Sequence, residues 1–208
     1  VDNRGAAAWN GKIIFGTLDG RLIALDAKTG KPVWSTKATP DERRYSITCA
    51  PRVANGMVFI GSAGGEFDAR GHIDAYDAES GKRLWRFWTI PGDPAKGFEN
   101  RTMQMAAATW KTPGWWTNGG GGTVWDAITY DPVNDLVIFG TGNGTPQDAM
   151  RRDAGRGDNL FMTSIVALHA KDGSYAWHYQ TTPWETWDYD TGQQLMLLDT
   201  EIDGKKRR

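Results

Sequence analysis

Four side chains with hard oxygen donors stand in glycine- or tryptophan-rich interruptions of an otherwise regular pattern: Glu66, Asn143, Asp188 and Asp190. Carboxylates and an amide oxygen are the donors that calcium-like cations take at high coordination number. Trp125 follows the glycines at 119–122, and an indole beside such a run could offer an open face for a planar ring to stack on. Each feature has a plainer explanation. Glycine runs make turns, a carboxylate caps a loop, and an indole fills a core. Together they point to an ion and a planar cofactor sharing one site, with a non-catalytic binding platform as the alternative. The interruptions concerned are 46–51, 64–71, 115–126 with 140–146, and 182–190.

The elements that would position these residues form a repeat. Gly20, Leu22, Ala24, Asp26 and Gly30 close at Trp34, and the pattern returns as Gly71, Ile73, Ala75, Asp77 and Gly81, closing at Trp85. A third copy runs through Ala167, Leu168 and Gly173 to Trp177, with His169 in place of the Asp. The alternation reads as a half-buried strand, and the Asp-to-Gly spacing as a turn that uses positive φ. The closing Trp suits a wedge between neighbouring sheets. Further strands are expected at Lys12–Gly16, Met57–Gly61 and Leu136–Gly140, and the one candidate helix at 99–109. The interval from Gly81 to Gly173 is nearly twice that from Gly30 to Gly81, and the stretch 127–134 reads as a degenerate copy filling it. Sheets recurring every ~40–50 residues match the four-stranded blades of a β-propeller. The expectation is one all-β domain over residues 1–208, with about four blades closing near 34, 85, 131–134 and 177, as part of a larger ring.

Composition narrows the function classes. With 24 Lys and Arg against 25 Asp and Glu, the net charge of −1 offers no basic footprint for nucleic acid. No apolar run approaches the ~18–20 residues of a spanning helix, so no transmembrane segment is expected. The single Cys49 excludes an internal disulfide framework and a cysteine-rich metal site within this stretch.

The interruption motifs carry a resemblance. Gly-Gly-Glu-Phe from Gly64, Gly-Gly-Thr-Val-Trp-Asp up to Asp126, Gly-Thr-Gly-Asn-Gly-Thr-Pro up to Pro146, Gly157-Asp158-Asn159-Leu160 and Trp187-Asp188-Tyr189 occur in this order. In these motifs the chain resembles the PQQ-dependent alcohol dehydrogenases, periplasmic quinoproteins built on an eight-bladed propeller. The resemblance implies that Glu66, Asn143 and Asp188 bind the metal, with Asp188 also the general base. It implies that Trp125 is the floor under the quinone, that Thr48 and Thr123 hydrogen-bond the cofactor's periphery, and that Arg4 binds a cofactor carboxylate. The implied cofactors are PQQ and calcium or a lanthanide. The implied reaction takes a proton from a primary alcohol and passes hydride to the quinone C5, with the metal as Lewis acid. A c-type cytochrome, separate or fused, would accept the electrons.

Some positions depart from the family pattern. Cys49 does not belong to the family's adjacent cysteine pair. Ala63 stands where many methanol dehydrogenases carry a cofactor-bonding Ser, which tilts the resemblance toward other alcohols. Gln147 replaces an aromatic residue common after Thr-Pro. Asp190, two residues after Asp188, resembles the lanthanide-dependent branch, because added anionic charge suits a trivalent ion. Its plainer reading is a cap on the turn at Thr191 and Gly192. The alternatives to an alcohol dehydrogenase are a scaffold propeller and a PQQ-dependent sugar or polyol dehydrogenase.

Overall fold

The repeat turns are held by the side chains that the pattern singles out. Asp26 Oδ1 accepts the backbone N–H of Lys28 at 3.1 Å and of Thr29 at 2.7 Å, and Gly30 follows at φ +70°. Asp77 does the same for Ser80, with Gly81 at φ +71°. In the third copy Asp172 takes over, accepting from Ser174 N–H at 2.9 Å, which explains how His169 can replace the Asp.

These turns organise a computed structural model in which residues 2–40 and 44–208 are described; Val1, the first residue of the expected domain, lies outside them. The first antiparallel sheet is β1 (Ala7–Trp9), β2 (Lys12–Gly16), β3 (Arg21–Asp26) and β4 (Pro32–Lys37). The second is β5 (Arg52–Ala54), β6 (Met57–Gly61), β7 (His72–Asp77) and β8 (Arg83–Trp88). The third is β9 (Ile128–Asp131), β10 (Leu136–Gly140), β11 (Ser164–His169) and β12 (Tyr175–Gln180). A hairpin of β13 (Thr200–Ile202) and β14 (Lys205–Arg207) follows. In each four-stranded sheet the strands pair in chain order. Each also carries one register shift at the same place, after Ala24, Ala75 and Ala167. Strand β5 lies against β1 and β9, so the sheets stand side by side as an arc of propeller blades.

The closing tryptophans join the blades. Trp34 Nε1 donates to Ala78 O at 3.2 Å, and a Cβ on Gly81 would stand 2.6 Å from its ring. Trp85 repeats the arrangement with Ala170 O at 3.0 Å and with Gly173. Between the blades lie two apolar layers. Ile14, Leu22, Val58 and Ile60 fill the first, and Phe59, Phe87, Phe139, Phe161 and Val166 the second. Each such side chain stabilises the fold by roughly 1.5–3 kcal/mol when fully buried.

The blade expected to close at 131–134 is corrected. That turn joins β9 to β10, with Asp131 paired to Leu136, and belongs to the same sheet as Trp177. The long interval is filled by inserted loops at 89–127 and 141–163. These hold α1 (Arg101–Ala107), capped by Asn100 Oδ1 on Met103 N–H at 2.9 Å, and α2 (Ala149–Arg152), capped by Asp148. The described chain is therefore three complete sheets and one hairpin. No described helix is long and apolar enough to cross a membrane.

Candidate active site

The inserted loops meet where the sequence places its chemistry. Arg4, Thr48, Glu66, Thr123, Trp125, Asp188 and Asp190 all line one cavity of about 360 Å3. Asn143 is the exception. With Glu66 it borders an adjoining cavity of about 400 Å3, and it touches the first site through Asp190.

Glycines make this convergence possible. Gly119, Gly120, Gly121 and Gly122 all have positive φ, between +60° and +82°. The strand of glycine backbone runs between the Glu66 loop and the Asn143 loop and bonds to both. Gly71 N–H donates to Gly121 O at 2.9 Å, and Gly122 N–H to Asn143 O at 2.8 Å. Thr145 adds a hydroxyl bond to Gly65 O, tying the two loops directly. Glu66 itself sits in a single 3-10 turn, Gly65–Phe67, bounded by left-handed Gly64 and Asp68.

The indole of Trp125 is seated against backbone. Added Cβ atoms on Gly142 and Gly192 would stand 3.1 and 3.3 Å from it. Thr48 Oγ1 donates to Trp125 O at 2.8 Å, so this hydroxyl holds the floor residue in place and keeps only its lone pairs for a ligand. The Arg4 guanidinium lies 4.6 Å from the indole centroid and pairs with Asp126 at 2.7 Å. A planar cation over an aromatic face is a favourable contact, and here the Arg4 guanidinium lies over one face of the indole.

The charges in the cavity are unbalanced. Burial, with Asp188 and Glu66 nearby, pushes Asp190 up to about 6, although Asn143 N–H and the Trp125 indole oppose the shift. Asp190 Oδ1 accepts from Asn143 N–H at 2.6 Å, which places its carboxylate at the site rather than on the turn at Thr191. Among the described residues no three acidic, His or Cys side chains are clustered tightly enough to hold an ion alone. The donor set nevertheless fits a hard cation. Four carboxylates, those of Asp2, Glu66, Asp188 and Asp190, line one cavity, an amide side chain adjoins it, and Arg4 is already paired with Asp126.

Two residues outside the expected set build the frame. Arg152 is 3% exposed and donates from Nη1 to Pro146 O at 2.7 Å and Gln147 O at 3.1 Å, and from Nη2 to Glu185 O. It thereby joins the loop after Asn143 to the loop that carries Asp188. Asp153 beside it accepts from Lys111 N–H, Thr112 N–H and Asn159 Nδ2. These donors hold its carboxyl below the usual range despite burial, which acts the other way and is the largest single influence.

Comparison with known proteins matches this arrangement to one family. The family model described as "PQQ: Glucose/ethanol/alcohol dehydrogenase, beta-propeller domain" matches residues 1–208. The chain belongs to the PQQ-dependent dehydrogenase family. It is 52% identical to quinohemoprotein alcohol dehydrogenase ADH IIB of Pseudomonas putida, over 99% of this chain and 30% of that protein. The crystal structure of quinohemoprotein alcohol dehydrogenase from Comamonas testosteroni superposes with a TM-score of 0.96 at 50% identity, over 100% of this chain and 31% of that one. A europium-containing methanol dehydrogenase superposes with a TM-score of 0.87 at 38% identity, over 99% of this chain and 37% of that one. The chain thus spans about 30% of the length of the alcohol dehydrogenases it matches. These relatives are oxidoreductases of the family that the interruption motifs resemble.

Proposed function

We propose that this chain is the cofactor-binding arc of a periplasmic PQQ-dependent enzyme that oxidises a primary alcohol to an aldehyde. The observation that carries the reading is the meeting of Arg4, Thr48, Glu66, Thr123, Trp125, Asp188 and Asp190 around one cavity. A scaffold propeller needs no such meeting. The choice of an alcohol rests on relatives named for alcohol oxidation.

When bound, PQQ with its ion supplies a polarised quinone carbonyl that accepts hydride. Glu66, Asn143, Asp188 and Asp190 are the donors that would hold the ion. Trp125 would form the floor, with the Thr48 and Thr123 hydroxyls at the cofactor's edge. Arg4 can exchange Asp126 for a cofactor carboxylate, a role suited to its planar guanidinium. Asp188, ionised, takes the hydroxyl proton of the alcohol as general base. A bound cation also relieves the repulsion among the carboxylates that line the cavity. A c-type cytochrome, separate or fused, would receive the electrons, and the relatives named as quinohemoproteins support a haem acceptor.

The decisive test uses the full-length enzyme. Asp188→Asn is expected to abolish alcohol turnover while PQQ stays bound; retained turnover overturns the base assignment. Asp190 adds its carboxylate to those of Glu66 and Asp188, which favours a trivalent ion over calcium. Reconstitution with calcium and with lanthanum separates the two, and activity with calcium alone removes the lanthanide reading.

A further inference from the structure

The loop that carries Asp188 is organised around a buried carboxylate that the reaction does not use. Glu185 is 0% exposed. Its Oε1 accepts the backbone N–H of Trp187 and that of Tyr189, the latter at 3.1 Å. Those two residues flank Asp188, so one oxygen holds the amide N–H of each of its neighbours. Asp188 between them has φ +66°, a left-handed conformation that costs residues with a Cβ some strain, although Asp tolerates it better than most.

Packing of the flanking side chains does not impose it. Trp187 and Tyr189 are 66% and 60% exposed and touch chiefly each other, stacked with centroids 5.9 Å apart. The seat of Glu185 is instead fixed from behind. Arg152 donates to Glu185 O, and its charge also acts on the Glu185 carboxylate. The second carboxylate oxygen, Oε2, is buried without a hydrogen-bond partner among the described residues. Burying a carboxylate is costly unless donors and charge offset it. Here the offset comes from the two N–H groups that bracket Asp188 and from Arg152.

We propose that Glu185 is a positioning residue for proton abstraction, its Oε1 clamping the amide N–H groups of the two neighbours of Asp188 so that the base is presented to the cavity. This inference rests on the reading of Asp188 as the base. It assigns Glu185 no contact with substrate or cofactor.

The test compares Glu185→Ala, Glu185→Gln and Asp188→Asn in the full-length enzyme, loaded with PQQ and metal. PQQ content is read from absorbance, kcat and KM from steady-state kinetics, and stability from thermal unfolding. Misplacing a catalytic group by about 1 Å costs roughly 100-fold, so Glu185→Ala is expected to lower kcat about 100-fold with KM and PQQ content nearly unchanged. Glu185→Gln keeps an acceptor oxygen and is expected to recover most of that loss. A Glu185→Ala enzyme with normal kcat overturns the proposal, as does a loss that only follows lost PQQ. If Glu185→Ala does not fold, Glu185→Asp replaces it. That variant keeps the charge but withdraws the oxygen, and kcat equal to wild type overturns the clamp. Full turnover in Asp188→Asn overturns the base assignment instead. Normal Glu185→Ala beside inactive Asp188→Asn overturns only the clamp.

Discussion

Asn143 and Asp190 meet through a backbone N–H of the first and a carboxylate oxygen of the second, 2.6 Å apart. The contact joins the glycine-rich loop after β10 to the loop after β12. It also brings the Asp190 carboxylate to the cavity that Asp2, Glu66 and Asp188 line. Removing Asp190 should therefore weaken a trivalent ion more than a divalent one. In the full-length apoenzyme, Asp190→Asn is expected to lower lanthanum affinity by at least about tenfold, ~1.4 kcal/mol, and calcium affinity by less. Calorimetric titration with each ion checks this; equal losses for both would remove the special role of Asp190.

Gly121 gives the second prediction. It has φ +79°, and a Cβ there would stand 2.4 Å from Asn143 O. It also bridges to Arg70 on one side and Gly144 on the other. Gly121→Ala should cost about 1–3 kcal/mol of backbone strain and should push the Asn143 loop away from Glu66. Thermal unfolding and metal content of the full-length variant read the two effects separately. Wild-type values of both would show that the glycine run is not what holds the loops together.

The strands were legible because a short apolar run ends at glycine in each of Lys12–Gly16, Met57–Gly61 and Leu136–Gly140, and these are β2, β6 and β10. The stretch at 131–134 misled because its Asp and Asn resemble a repeat turn. Local spacing does not say which pair of strands a turn joins, and here it joins the first pair of a sheet. Glu66, Trp125, Asn143 and Asp188 stood out through their glycine or tryptophan neighbours and through family resemblance. Arg152 carried no such signal, and Glu185, although it follows Trp184 in the 182–190 interruption, matched no motif of the resemblance. Arg152 acts through a bond to Glu185 O, 33 residues on, which only folding brings to it; Glu185 bonds amides two and four residues ahead, a turn whose shape residue types alone do not fix.

Arg152 supports the third prediction. Its guanidinium is buried, packs against the backbone of Gly144 and serves three carbonyls and Asn159 Oδ1. Burial is the main influence on it and pulls its pKa down, while Glu185, Asp153 and Asp148 hold the charge in place. Arg152→Met fills similar volume but leaves these acceptors and the Glu185 carboxylate without a partner. Loss of one member of such a buried set costs about 3–5 kcal/mol. The full-length variant should unfold at lower temperature and be cleaved faster by protease in the 143–163 loop. A stability within ~0.5 kcal/mol of wild type, the range of ordinary surface changes, would show that Arg152 is dispensable.

His72 gives a pH dependence with a defined sign. Its ring is 2% exposed, packed between Tyr45 at 5.6 Å and Trp88 at 5.2 Å, and its Nδ1 has no hydrogen-bond partner among the described residues. Burial is the main cause that pushes its pKa down to about 4; Arg86 acts in the same direction and Asp74 against it. In the unfolded chain the same imidazole titrates near its ordinary value of about 6.5. Between these two values the unfolded chain binds a proton that the folded chain does not. The contribution of His72 is therefore fully present above pH ~6.5 and is lost as pH falls toward 4. The full shift corresponds to roughly 3 kcal/mol, enough to lower the melting temperature of the full-length protein measurably between pH 7 and pH 5. His72→Phe keeps an aromatic ring between Tyr45 and Trp88 but cannot protonate, so its melting temperature should fall less over that range. Parallel wild-type and variant curves would mean that acid sensitivity arises elsewhere in the fold.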